Sequence, residues 1–148
     1  MDRKNAGFTL IEIMIVVMIV GLLMTAIATQ LIGRAQTAQV DLAATQMRQV
    51  EQALELYKLD NGRYPTTDQG LEALVRAPSG DPAPRRYAPG GYAKPQLLND
   101  PWGMPYQYRQ PGEHNSRTFD LFSFGPDGVS GGSDEEADIV NWDTGTIQ

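Results

Sequence analysis

From Leu10 the chain runs through apolar residues almost without interruption, and Ile13–Ile32 (IMIVVMIVGLLMTAIATQLI) is broken only by Thr25, Thr29 and Gln30. A helix of about 20 residues, rising ~1.5 Å per residue, spans roughly 30 Å, the thickness of a bilayer core. The run is apolar on every face, which predicts a membrane helix and not a buried core helix. The pattern then changes character. Val40, Ala43, Met47, Val50, Leu54 and Tyr57 recur at helical steps, while Gln36, Asp41, Arg48, Gln49, Glu51 and Glu55 take the polar side. That is an amphipathic helix laying one stripe on a core. Asn61-Gly62 supplies a left-handed stop and Pro65 forbids continuation. One helix from about residue 8 to residue 60 is expected.

Beyond it the pattern shortens. Thr66-x-x-Gln69 reads as a capping box, Leu71, Leu74 and Val75 as an apolar face, and Pro78 as a terminator, which predicts a second helix over Gln69–Ala77. The Pro/Gly-rich stretch from Pro78 to Gly91 reads as an ordinary surface connection. Pro105–Gln110 and Thr118–Phe124 alternate as two antiparallel strands around a turn holding Gly112. Room remains for three strands at most, so the fold class is α+β, a long helix packed on a small antiparallel sheet.

Charge sharpens the picture. The chain has 148 residues, 12 Lys+Arg against 18 Asp+Glu, and a net charge of −6. This balance argues against a nucleic-acid partner, which needs a basic patch. With no cysteine and a single histidine, His114, disulfide scaffolds, thiolate sites and multi-His zinc sites are excluded. Between Asn5 and Gly33 only Glu12 is charged. A carboxylate at the edge of an apolar run costs a few kcal/mol and calls for a partner, yet no base on this segment lies at helical spacing to it. Either the carboxylate reaches the headgroups or its partner is on another molecule. Arg3 and Lys4 ahead of the run predict a cytoplasmic N-terminus with the remainder of the chain across the membrane. The run passes straight into a helical pattern, so the segment is expected to be retained.

Gly7-Phe8-Thr9-Leu10-Ile11-Glu12 followed by an apolar run resembles the class III signal of type IV pilins and pseudopilins. The resemblance implies cleavage by a prepilin peptidase between Gly7 and Phe8, and methylation of the new Phe8 amine. It also implies that Glu12 meets the Phe8 amine of a neighbouring subunit during assembly. The organisation that follows is a leader over residues 1–7, an apolar transmembrane and assembly helix over 8–33, and a periplasmic head over 34–148.

The last region is acidic. Residues 124–142 hold five acids and four glycines, and no base follows Arg117. Such a loop repels itself unless a cation neutralises it. Ca²⁺ takes 6–8 oxygens, including carbonyls, although the EF-hand template fails here because its third ligand position falls on Val129. The residues alone leave a bound cation and a solvated acidic loop equally open. Tyr57-Lys-Leu-Asp-Asn-Gly-Arg-Tyr-Pro65, Gln69-Gly-Leu-Glu-Ala-Leu74, Asp100-Pro-Trp-Gly103, Asp120-Leu-Phe-Ser-Phe-Gly125 and Asp138-Ile-Val-Asn-Trp142 are similar to the hallmarks of major pseudopilins of the type II secretion system. That resemblance implies a type IV pilin-like fold and a Ca²⁺ site in the loop 124–142. Asp127, Asp134 and Asp138 would be its ligands, with Ser133 and the backbone oxygens of Phe124 and Val129. One departure is Thr29, where the family has a proline late in the apolar helix.

A structural subunit is therefore expected, polymerising into a periplasmic pseudopilus that drives export of folded proteins across the outer membrane. Its partners would be further copies of itself, minor pseudopilins, the inner-membrane assembly platform and the prepilin peptidase. Before assembly it would sit in the bacterial inner membrane as a single-pass protein. The alternative is a type IV pilus or minor pilin subunit in adhesion or motility. The acidic loop in place of a disulfide favours the former. A membrane-tethered hydrolase using paired carboxylates is set aside because no cleft is evident; His114 reads as exposed surface, and Trp102 and Trp142 as anchors. No enzyme is expected.

Overall fold

The computed structural model describes residues 9–132 and 137–142, and the side chains of these apart from residues 26–33. Gly7, Phe8, Ser133 and Asp134 lie outside the described residues, as does the side chain of Thr29. The first element, α1, is an unbroken helix over Leu10–Asn61, close to the expected 8–60. Its start is capped by Thr9: the Glu12 N–H donates to the Thr9 carbonyl at 3.1 Å and to its hydroxyl at 3.3 Å. Its end follows the expected stop, with Gly62 at φ 75° and its N–H donating to the Lys58 carbonyl at 2.7 Å.

The chain divides into two compact units, Met1–Thr37 and Ala38–Gln148. In the first, every large apolar side chain from Leu10 to Met24 is exposed, from 45% at Val20 to 81% at Leu10. Among the described residues, no helix is long and apolar enough to cross a membrane. The run Ile13–Ile32 extends into residues 26–33, whose side chains are not described. Among the described residues, no base forms an ion pair with Glu12.

In the second unit the predicted stripe is the core. Ala43, Met47, Val50, Leu54 and Tyr57 are buried and Val40 is half-buried. Met47, Val50, Leu54 and Tyr57 pack in one cluster with Tyr64, Leu71, Leu74, Tyr106, Phe119 and Leu121. Tyr106 donates its hydroxyl to the Ala43 carbonyl at 3.0 Å, which satisfies a polar atom inside this apolar contact.

The second helix is shorter than the pattern predicts. The capping box forms: the Thr66 N–H donates to Gln69 Oε1 at 3.1 Å, and the Gln69 N–H to Thr66 Oγ1 at 3.2 Å. It closes one turn only. Gly70 leaves the helical region at φ 59°, and a 3₁₀ turn over Leu71–Leu74 replaces the helix expected over Gln69–Ala77. A continuing helix would pair the Leu74 carbonyl with Pro78, which has no N–H. That carbonyl instead accepts the N–H groups of Tyr92 and Ala93, at 2.6 and 3.1 Å.

These bonds correct the reading of the Pro/Gly stretch as a plain surface connection. Gly91, at φ 82°, passes so close that a Cβ would lie 2.8 Å from the Leu74 and Val75 carbonyls. The Tyr92 hydroxyl lies 2.9 Å from Asp60 Oδ2 and 3.1 Å from the Arg86 carbonyl, and Asn61 Nδ2 donates to it at 3.3 Å. Its ring meets Tyr57 and Tyr87 edge-on, each at 5.3 Å. The connection is thereby tied to the end of α1.

Among the described residues three strands follow, β1 (Gln107–Arg109), β2 (Asp120–Ser123) and β3 (Ile139–Val140), in the antiparallel order β1-β2-β3. Tyr108 faces Leu121 and Phe122 faces Val140. Both β1 and β2 are shorter than the alternating stretches 105–110 and 118–124; the first is bracketed by Pro105 and Pro111, which lack N–H groups for a ladder. The architecture is α+β, and the acidic stretch is the connection from β2 to β3.

Candidate functional site

The acidic connection is anchored at both ends. At its entry stands Asp100, 5% exposed. Its Oδ1 accepts the N–H groups of Trp102 and Met104 at 3.1 and 2.8 Å, closing the Asp-Pro-Trp-Gly turn. Its Oδ2 accepts the buried Ser123 hydroxyl at 2.6 Å, and Ser123 Oγ in turn accepts the Gly125 N–H at 3.1 Å. Phe124 sits between these two bonds, so the backbone that carries its carbonyl is held on both sides. At the exit stands Asn141. Its Oδ1 accepts the Leu121 N–H at 3.0 Å, its Nδ2 donates to the Phe119 carbonyl at 3.3 Å, and its own N–H donates to Leu121 at 3.1 Å. One side chain thus extends the β2–β3 pairing past the end of the strand. Trp142 lies flat on His114, with ring centroids 4.0 Å apart and planes 1° apart, and meets Phe122 edge-on at 5.7 Å.

Within the connection, Gly125, Gly128, Gly131 and Gly132 all take positive φ between 67° and 109°, a backbone path that other residues resist. Asp127 Oδ1 accepts the Val129 N–H at 3.1 Å. Asp138 folds back on Gly131: its N–H donates to the Gly131 carbonyl at 3.2 Å, and its Oδ2 accepts the Gly131 N–H at 3.0 Å. Its Oδ1 is buried and has no hydrogen-bond partner. An orphaned buried carboxylate oxygen in a loop of this charge fits a hard cation, which prefers such donors. Among the described residues no three acidic or histidine side chains form a metal cluster. Ser133 and Asp134 of the expected ligand set lie outside those residues, while Asp127, Asp138, Phe124 and Val129 are placed as above.

Beside this loop lies a second carboxylate centre. Asp120, 3% exposed, accepts three backbone N–H groups from the preceding turn: Glu113 at 2.7 Å, His114 at 2.9 Å and Asn115 at 2.8 Å. His114 Nδ1 lies 3.2 Å from the same carboxylate. Burial pushes the Asp120 pKa up, but the bonds from His114, Asn115 and Glu113 outweigh it and hold the group below the ordinary value near 3.8. A carboxylate whose folded pKa is depressed stabilises the fold above the unfolded pKa, and that contribution is lost as pH falls through the folded value. The full-length chain should therefore lose stability as pH drops below about 4, and Asp120→Asn should flatten that limb. Urea unfolding at stepped pH measures both; a limb of unchanged slope in the variant would contradict the assignment.

His114 is exposed, as expected, and its ring is stacked on Trp142. Asp100, Ser123, Asp120 and Asn141 were visible in sequence as motif residues without a role. The bonds from Asp100 to Ser123 and from Asn141 to Leu121 and Phe119 join residues far apart in sequence.

The family model described as type II secretion system (T2SS), protein G matches residues 30–142, most of the chain. The chain belongs to that family. A second model, the prokaryotic N-terminal methylation motif, matches residues 2–28, the part of this protein G family member that holds Gly7, Phe8 and Glu12. Among similar proteins, the type II secretion system core protein G of Pseudomonas aeruginosa is 50% identical over 141 residues, covering 95% of this chain and 97% of its own. That of Vibrio cholerae is 49% identical over 146 residues, covering 99% and 97%. Among solved structures, the major pseudopilin from the type 2 secretion system of enterohaemorrhagic Escherichia coli is 44% identical. It superposes with a TM-score of 0.64 over 76% of this chain and 93% of its own.

Proposed function

We propose that this protein G family member is a major pseudopilin: a subunit that polymerises into the periplasmic pseudopilus and drives export of folded proteins. The observation that carries this reading is the exposure of the apolar side chains of Leu10–Met24 on an otherwise regular helix. Such a surface must be covered, by lipid before assembly and by the same helix of other copies afterwards. Prepilin peptidase cuts after Gly7, the new Phe8 amine is methylated, and Glu12 meets that amine on a neighbouring subunit. Minor pseudopilins and the inner-membrane platform are the other partners. The test is the intact mass and N-terminal sequence of the protein recovered from membranes. A chain beginning at Phe8 with one added methyl group is expected; a chain beginning at Met1 in a host with an active peptidase would overturn the reading.

Calcium belongs to the same proposal. Asp127, Asp134 and Asp138, with Ser133 and the carbonyls of Phe124 and Val129, would hold Ca²⁺, which neutralises the loop and fixes it between β2 and β3. The support is Asp138 Oδ1, buried and unpartnered, a state that costs about 1–3 kcal/mol when nothing satisfies it. In detergent, the full-length chain should melt at higher temperature in excess Ca²⁺ than in EGTA, since a ligand at about 100 times its Kd stabilises by ~2.7 kcal/mol. Asp138→Ala should abolish the difference. Equal melting of the native chain in both buffers would sink the calcium reading.

A further inference from the structure

We propose that His114 is a pH-sensitive latch on the exit of the acidic connection, its proton tightening the hold on Trp142 and Asp120. The imidazole meets two groups that favour a positive charge, one at a ring nitrogen and one at its face. On one side the Asp120 carboxylate lies 3.2 Å from Nδ1; on the other the Trp142 indole covers its face at 4.0 Å, with the planes 1° from parallel. Protonation turns the first contact into a charge-assisted hydrogen bond and the second into a cation–π contact with the aromatic side chain that attracts cations best. Histidine is the side chain that changes charge between pH 5 and 8.

Among the described residues, the charged groups next to the ring are Asp120 and the Glu113–Arg109 pair. Asp120, on β2, stays ionised throughout that range because the N–H groups of the turn hold its pKa down. Glu113, next to His114, is engaged with Arg109 of β1 as an exposed ion pair. From the segment after β3 the contact is Trp142, which carries no charge. The latch acts on the fold because Trp142 directly follows Asn141, whose side chain secures β2 and the turn at Asn115. It does not depend on a cation in the loop, and it is best tested in a chelator.

His114 is the only histidine in the chain, so its imidazole signals in the full-length chain in detergent micelles are unambiguous by NMR. Between pH 8 and 5.5 in EGTA, the Trp142 ring resonances should shift with the same midpoint as the imidazole. In a Trp102→Phe background, Trp142 emission should fall over the same range. The native chain should also gain about 3 °C in Tm relative to His114→Phe on going from pH 7.5 to 5.5. His114→Phe keeps a flat ring on Trp142 without a proton and should show neither change. Trp142 resonances that ignore the imidazole titration, or equal pH profiles in the native chain and His114→Phe, would overturn the proposal. The NMR measurement decides the matter even if the variant folds poorly.

Discussion

Gly112→Ala should lower the stability of this protein by about 3 kcal/mol, read as a lower urea midpoint at unchanged slope. A Cβ at this position would lie 2.7 Å from Asp120 Cγ and 2.8 Å from its backbone nitrogen, closer still to Oδ1. The carboxylate has nowhere to retreat, because its oxygens are fixed by the N–H groups of Glu113, His114 and Asn115. The added methyl must therefore either break those bonds or push the turn away from β2. Breaking them leaves a buried charge with unmet hydrogen bonds, which is among the costlier single-residue faults. A double variant, Gly112→Ala with Asp120→Ala, should lose less than the sum of the two single losses, since the clash with the carboxylate is removed and only that with the Asp120 backbone nitrogen remains. Additive losses would show that the two residues do not meet.

Asp100→Ala should be nearly as damaging, at roughly 3 kcal/mol, because it strands three donors at once: the N–H groups of Trp102 and Met104 and the Ser123 hydroxyl. Ser123 is 1% exposed, so its hydroxyl has no water to turn to. The effect should spread into the acidic connection, since Ser123 Oγ also receives the Gly125 N–H. Asp100→Asn is the informative control. It keeps an acceptor for the turn and offers an amide to the Ser123 oxygen, so it should recover more than half of the loss. Thermal melts of the three chains in EGTA separate this role from any role of a cation; a wild-type Tm for Asp100→Ala would refute it.

The two centres differ in how far they could be read beforehand. Asp100 stands in an Asp-Pro-Trp-Gly run that announces a turn, because Asp accepts N–H groups two and four residues on. Its bond to Ser123, 23 residues away, leaves no mark in a one-dimensional pattern. The same holds for the His114–Trp142 stack. The acidic connection was legible as a cation candidate from its composition, since charge and glycine content are local properties. Which oxygen is orphaned was not, because that depends on how Asp138 folds back on Gly131. The helix over Gln69–Ala77 failed for an instructive reason. Its capping box formed as predicted, but the Leu74 carbonyl was claimed by Tyr92 and Ala93 from a later segment.

What the chain settled unaided were the properties decided by neighbours in sequence: the length of α1 and its C-terminal stop, the buried stripe from Ala43 to Tyr57, the apolar run, and the resemblance that led to the protein G family. Periodicity, caps and charge content depend on residues a few positions apart, where chain connectivity alone brings them together. Tertiary structure decided the rest. It tied the Pro/Gly connection to α1 through Tyr92, cut the second helix to one 3₁₀ turn, added β3, and set Asp100, Asp120 and Asn141 as the bolts of the acidic loop. These depend on which buried donors find which acceptors across the fold, and a buried polar group pairs with whatever the packing presents, however distant in sequence.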